Sequence, residues 1–209
     1  MKHKQLSTCL SGHLPGFSLI ELALVLIVIG ILAGAIFKGQ DILETAKIHA
    51  VLTDINRIRT ATALYHNTFG QWPGNDPHAR ARFGEDVNNG QGDGVLSGAE
   101  TTQFWVHLAK TEHLPEANPV SSKLGGSFSV EGDPETKKNF LVLSGPRKAG
   151  VLTPKQAAAL KAKASDGGPS TGHIHVTEGA DAPPGSCVHE GTFHLATKAS
   201  VCILKVELH

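Results

Sequence analysis

The residues best suited to chemistry lie in one glycine-rich stretch, Asn89-Gly90-Gln91-Gly92-Asp93-Gly94-Val95-Leu96-Ser97-Gly98-Ala99-Glu100. Aligned as a twelve-residue EF-hand loop, it places side-chain oxygens from Asn89, Gln91, Asp93, Ser97 and Glu100 at ligand positions. Gly94 falls where such loops turn sharply, and Val95 offers its main-chain carbonyl. Only Asp93 and Glu100 carry charge, so a calcium ion held here would bind weakly, at about the millimolar level of extracellular modules. The competing account is a Gly-Asp turn that caps the next helix through Ser97, with Glu100 completing a capping box. The sequence leaves both open, and it requires no cofactor.

Other candidate chemistry is thinner. Among twelve histidines, His173 and His175 share one side of an extended segment, and His189 and His194 follow in sequence. Zinc needs converging ligands of defined geometry, and this spacing alone does not supply them. No Gly-x-Ser-x-Gly elbow, His-Glu-x-x-His helix or phosphate-binding glycine loop occurs. The expectation is a protein that is not an enzyme. Lys plus Arg and Asp plus Glu both number 19, and such a balance gives no basic surface for nucleic acid.

One further charged group stands out by its surroundings. From Phe17 to Phe37 the only ionisable side chain is Glu21. At 1.5 Å per residue that run makes a helix of roughly 30 Å, enough to cross a bilayer core. A basic flank, Lys2-His3-Lys4, precedes it and belongs on the cytoplasmic side. A secretory signal peptide fits poorly, because no small-x-small site leads into a polar mature start. A plain signal anchor fits the hydropathy but leaves Glu21 without a role. A carboxylate within a span costs about 3 kcal/mol on insertion scales, and such groups mark function and need a partner.

Gly16-Phe17-Ser18-Leu19-Ile20-Glu21, followed by the long apolar run, resembles the class III signal of type IV prepilins and type II secretion pseudopilins. The resemblance implies cleavage after Gly16 by a prepilin peptidase and methylation of the new amino terminus at Phe17. It implies that the apolar helix serves first as inner-membrane anchor, with the carboxyl-terminal domain periplasmic, and then as filament core. The implied partners are other pilin or pseudopilin subunits and the assembly platform. Glu21 is implied to meet the Phe17 amine of a neighbouring subunit, since two buried opposite charges tolerate low dielectric better paired than alone. The class alternative is a membrane-tethered, calcium-dependent periplasmic module that never polymerises.

Loss of the leader would remove Cys9 from the three cysteines, leaving Cys187 and Cys202 as a pair. A bridge across their loop is worth about 3 kcal/mol in chain-entropy models; two buried thiols are the alternative. A cysteine pair near the carboxyl end is also a recurrent feature of pilins.

The elements that must position these groups divide the chain into a leader (1–16), a membrane and filament-core helix (17–38), its amphipathic continuation (39–69) and a globular domain (70–209). Gly30 and Gly34 put small residues on one helical face, which lets helices approach closely. Beyond the apolar run, Ile48, Val51, Leu52, Ile55, Ile58, Thr62 and Tyr65 recur at spacings of three and four, so one stripe docks on a core. Gly70 and Pro73 close the spine. Residues 71–96 are expected as loop, followed by a helix anchored by Phe104, Trp105, Leu108 and Leu114. Strands are expected at 127–130, 139–144, 173–178 and 201–208, and a helix at 155–164 behind the Thr153-Pro154 cap. The expected class is α+β, a long amino-terminal helix packed on a small antiparallel sheet, as in pilins.

Overall fold

A computed structural model describes residues 16, 18–115 and 119–208, with the side chains of 35–38 excepted. The leader before Gly16, Cys9 within it, and Phe17 lie outside the described residues. The chain forms two compact units that meet in sequence between Leu43 and Glu44.

Helix α1 runs Leu19–Phe69. Its start is fixed by a reciprocal capping box. The Ser18 hydroxyl accepts from the Glu21 N–H at 3.2 Å, and the Glu21 carboxylate accepts from the Ser18 N–H at 2.9 Å. Its end is Gly70, whose φ of +67° continues no helix. From Leu22 to Gly34 the helix is apolar on all sides and uncovered: Leu26, Ile31 and Leu32 are all exposed. Among the described residues it is the one helix long and apolar enough to cross a membrane. No atom lies within contact distance of a Cβ at Gly30 or Gly34.

The second unit holds the core. The residues of α1 from Ile48 onward present the expected stripe, with Ile48, Val51, Ile55, Ile58, Ala61 and Tyr65 all buried. Against it pack α3 (Glu100–Lys110), α4 (Pro154–Ala164) and a four-stranded antiparallel sheet. The strands are β1 (Ser127–Asp133), β2 (Lys138–Ser144), β3 (Ile174–Glu178) and β6 (Cys202–Leu208), in the order β1-β2-β6-β3. A small hairpin, β4 (Val188–His189) with β5 (Thr192–Phe193), stands apart. This is the α+β arrangement of a long helix and a small antiparallel sheet.

Strand β6 shows the cleanest agreement between pattern and fold. Cys202, Leu204, Val206 and Leu208 are buried while the alternating residues are not, as a half-buried strand requires. In α4 the Thr153 hydroxyl accepts from the Gln156 N–H, and the Gln156 side chain accepts from the Thr153 N–H. That adds a capping box to the expected cap and first-turn proline.

Three expectations are corrected. The span 71–96 is not all loop, because α2 (Ala79–Phe83) forms within it. Five residues are too few to hold a helix by propensity. The Asp76 carboxylate fixes this one from outside, accepting from the His78 N–H and pairing with Arg82. The first hairpin is also longer than expected, since β1 continues through Gly132 to Asp133, paired with Lys138. Gly132 is needed there: a Cβ would lie 2.5 Å from the Val95 side chain and 2.7 Å from the Leu96 backbone. Finally, Leu114 is buried but lies beyond the end of α3.

Candidate functional site

At the head of α1, Glu21 lies in the first turn of the helix, five residues after Gly16. Its carboxylate already has a partner, the Ser18 N–H. The Ser-x-x-Glu spacing is itself a capping-box signature, so Glu21 serves two ends: it is the lone charge of the apolar run 17–37 and a cap on the helix that contains it.

In the second unit, Cys187 and Cys202 form a disulfide with a Cα–Cα distance of 5.4 Å. It ties the turn before β4 to β6, and both residues are fully buried. His189 and His194 lie nearby with ring centroids 6.4 Å apart. Among the described residues no three of His, Cys, Asp and Glu group as a metal set.

The glycine-rich loop is ordered by hydrogen bonds to itself and to the turn Trp72–Asp76. Glu100, nearly buried, is its hub. One carboxylate oxygen accepts from the Gln91 N–H at 2.7 Å and from Asn75 Nδ2 at 2.8 Å. The other accepts from the Ser97 N–H at 3.0 Å and the Ser97 hydroxyl at 3.3 Å. Half of the expected capping box is therefore present, Glu100 to the Ser97 N–H. The other half is not: the Glu100 N–H donates to the Ser97 carbonyl at 2.9 Å, and Ala99 is the residue that caps α3. Asp93 accepts from the Val95 N–H at 3.1 Å and from Asn75 Nδ2 at 3.0 Å. Those bonds, the Val95 N–H foremost, hold its carboxyl below the usual carboxylate range.

Of the six residues aligned as calcium ligands, Asp93, Val95 and Glu100 converge, and Asn89, Gln91 and Ser97 do not join them. The Asn89 side-chain oxygen accepts from the Arg80 N–H in α2 at 2.8 Å. Gln91 contributes its main-chain N–H. Ser97 turns its hydroxyl toward Glu100 as a donor.

Beneath this loop lies a polar cluster that the sequence reading missed. Tyr65, Asp76 and His107 are fully buried. The Tyr65 hydroxyl donates to Asp76 Oδ2 at 2.8 Å, beside Arg82. His107 Nδ1 accepts from the Gly74 N–H at 2.8 Å, which leaves the ring proton on Nε2, facing the Asn88 carbonyl at 3.0 Å. Burial lowers the His107 pKa and, with help from Asp76, raises that of Tyr65. Both groups are neutral, and both are consumed in holding the 71–96 segment against α1 and α3. The sequence signal available was Tyr65 on the apolar stripe, because a buried tyrosine hydroxyl needs a partner.

No protein-family model and no curated protein matches this chain. A solved type IV pilin is among the structures similar to it. That structure is the major type IV pilin PilA1 from Clostridium difficile, with 18% identity, 79% of this chain and 96% of that chain covered, and a TM-score of 0.43.

Proposed function

We propose that this chain is a structural subunit, a pilin, minor pilin or pseudopilin, of a type IV pilus or a type II secretion-like filament. The observation that carries this reading is the head of α1. Helix α1 opens at Leu19 on an apolar, uncovered stretch in which Glu21 is the one charge up to Phe37. Such a surface needs lipid or other helices around it. In the precursor it lies in the inner membrane, with the second unit on the periplasmic side. Prepilin peptidase cuts between Gly16 and Phe17 and methylates the Phe17 amine. The assembly platform then moves the subunit from lipid into the filament, where the same apolar surface packs on its neighbours. Glu21 leaves the Ser18 N–H for the Phe17 amine of another copy, exchanging a dipole for an opposite charge in a medium where unpaired charge is expensive.

The test is the intact, unreduced mass of the protein extracted from its native membrane, followed by filament yield for Glu21→Ala. Processing predicts a chain that starts at Phe17, one methyl heavier and two hydrogens lighter than its sequence mass. Glu21→Ala should be processed normally yet fail to enter filaments. A mass that retains residues 1–16, or wild-type filament yield from Glu21→Ala, overturns the reading in favour of a tethered, non-polymerising module.

A further inference from the structure

The three converging residues of the glycine-rich loop converge on something. Asp93 Oδ1, the Val95 carbonyl and Glu100 Oε1 lie 3.0, 3.4 and 2.8 Å from a single atom, Asn75 Nδ2. In the EF-hand alignment these are the fifth, seventh and twelfth ligands, whose oxygens surround the ion at 2.3–2.6 Å in an occupied loop. Here the centre is a carboxamide nitrogen, and the acceptors stand farther out, at distances suited to N–H donors. Asn75 is fully buried. Its orientation is set by the other end of the amide, where Oδ1 accepts from the Gly94 N–H at 2.7 Å. Turning the amide over would set oxygen against two carboxylates and nitrogen against an N–H.

The backbone leaves no slack around this arrangement. The Gly92 N–H donates to the Asn75 carbonyl and the Gly90 N–H to the Asp76 carbonyl, both at 2.8 Å. A Cβ at Gly90 would lie 2.3 Å from the Asn75 backbone, and one at Gly74 would lie 2.3 Å from the Glu100 carbonyl. The loop is thus wrapped on the Trp72–Asp76 turn, with the Asn75 amide pushed into its middle.

We infer that residues 89–100 are a cation-type loop whose ion position is filled by the chain's own Asn75 amide. The loop is a calcium loop in pattern and calcium-independent in fact. One atom decides the difference. Asn75→Asp keeps an oxygen for the Gly94 N–H but replaces the central donor with a second oxygen facing Asp93, Val95 and Glu100. Three carboxylates then share a site that must take up a proton or a metal cation, and a hard divalent ion with oxygen ligands is the class of metal it would take. The inference holds whether or not the chain polymerises.

The experiment uses the full chain in detergent. Calcium chloride is titrated calorimetrically into wild type and Asn75→Asp, with magnesium chloride as comparison, and both proteins are melted in EDTA and in calcium. Wild type should show no calcium binding in the millimolar range and a melting temperature unchanged within about 1 °C, since a ligand that does not bind gives no stabilisation. Asn75→Asp should melt lower in EDTA, recover in calcium, and bind it with a Kd of about 0.1–1 mM; a variant that folds only with calcium present counts equally in favour. Calcium binding by wild type in that range overturns the inference. So does an Asn75→Asp protein that melts alike in both conditions or folds in neither, because the three acceptors then form no cage for an ion.

Discussion

Replacing Lys161 with methionine should destabilise the second unit far more than a lysine on an alanine-rich helix suggests. The Lys161 side chain is 1% exposed. Its ammonium donates to Asp166 Oδ2 at 2.8 Å, the Asp166 carbonyl at 2.9 Å, the Thr171 carbonyl at 2.6 Å and the Ile174 carbonyl. It works as a tethered cation that gathers the connection between α4 and β3. Burial pushes the Asp166 pKa up, but Lys161 and the His173 and Ile174 N–H groups outweigh it and hold the carboxyl below its usual range. Methionine matches the length of the chain but leaves a part-buried carboxylate without its cation and three carbonyls without their shared donor. Removing one partner of a buried pair costs about 3–5 kcal/mol. At about 2–4 °C per kcal/mol for a unit of this size, the melting temperature should fall by about 6–20 °C. Fluorescence-detected melts of the full chain would measure it, Trp105 being buried in the core. Lys163→Met is the control: among the described residues that exposed lysine pairs with His49 alone, so about 0–1 kcal/mol is expected. A Lys161→Met protein that melts within about 2 °C of wild type would refute the argument.

Two further outcomes follow from the cluster under the loop and from Gly74. His107 has a folded pKa below its unfolded value near 6.5, so the unfolded chain binds more protons there. Its contribution is therefore present above about pH 6.5 and is lost as pH falls below it. Urea midpoints at pH 7.5 and 5 should show that loss in wild type, and His107→Gln should be less stable at pH 7.5 and lack the step between them. Gly74→Ala should be severely destabilising, by more than about 3 kcal/mol, because φ there is +83° and the new Cβ would sit 2.3 Å from the Glu100 carbonyl. Gly70→Ala, at φ +67° with nothing within 4 Å, should cost only about 1 kcal/mol of backbone strain. Equal melting temperatures for the two alanine variants would contradict the packing described.

What the sequence disclosed was whatever is written at short range. The apolar run, the stripe from Ile48 to Tyr65, the stop at Gly70 and the alternation of β6 all follow from periods of 3.6 or 2 and a single breaker. The Thr153 cap was legible for the same reason. Ser18-x-x-Glu21 was equally local, but a charge in a run long enough to cross a membrane masks the cap it also makes. What stayed hidden depends on residues far apart in the chain. Helix α2 exists because Asp76 holds it from outside. Asn75 reaches the loop it fills from some twenty residues away, and nothing in its own neighbourhood announces that. Lys161 did leave a trace: with Ala157, Leu160 and Ala164 it lies on the inward stripe of α4, where a charge has to find partners.

The strand order β1-β2-β6-β3 sets a timetable. Strand β6 follows its neighbours in the chain yet lies between them, and β3 has no other partner in the sheet. If the second unit emerges in chain order, behind an amino-terminal anchor that stays put, β1, β2 and β3 arrive before the strand that joins them. Until Cys202–Leu208 emerges, the β1–β2 hairpin has an open edge and β3 has no sheet at all, so both stand exposed to pairing with other chains. The same strand carries Cys202. Oxidation with Cys187 can then act as a latch that closes only after the last piece is in place.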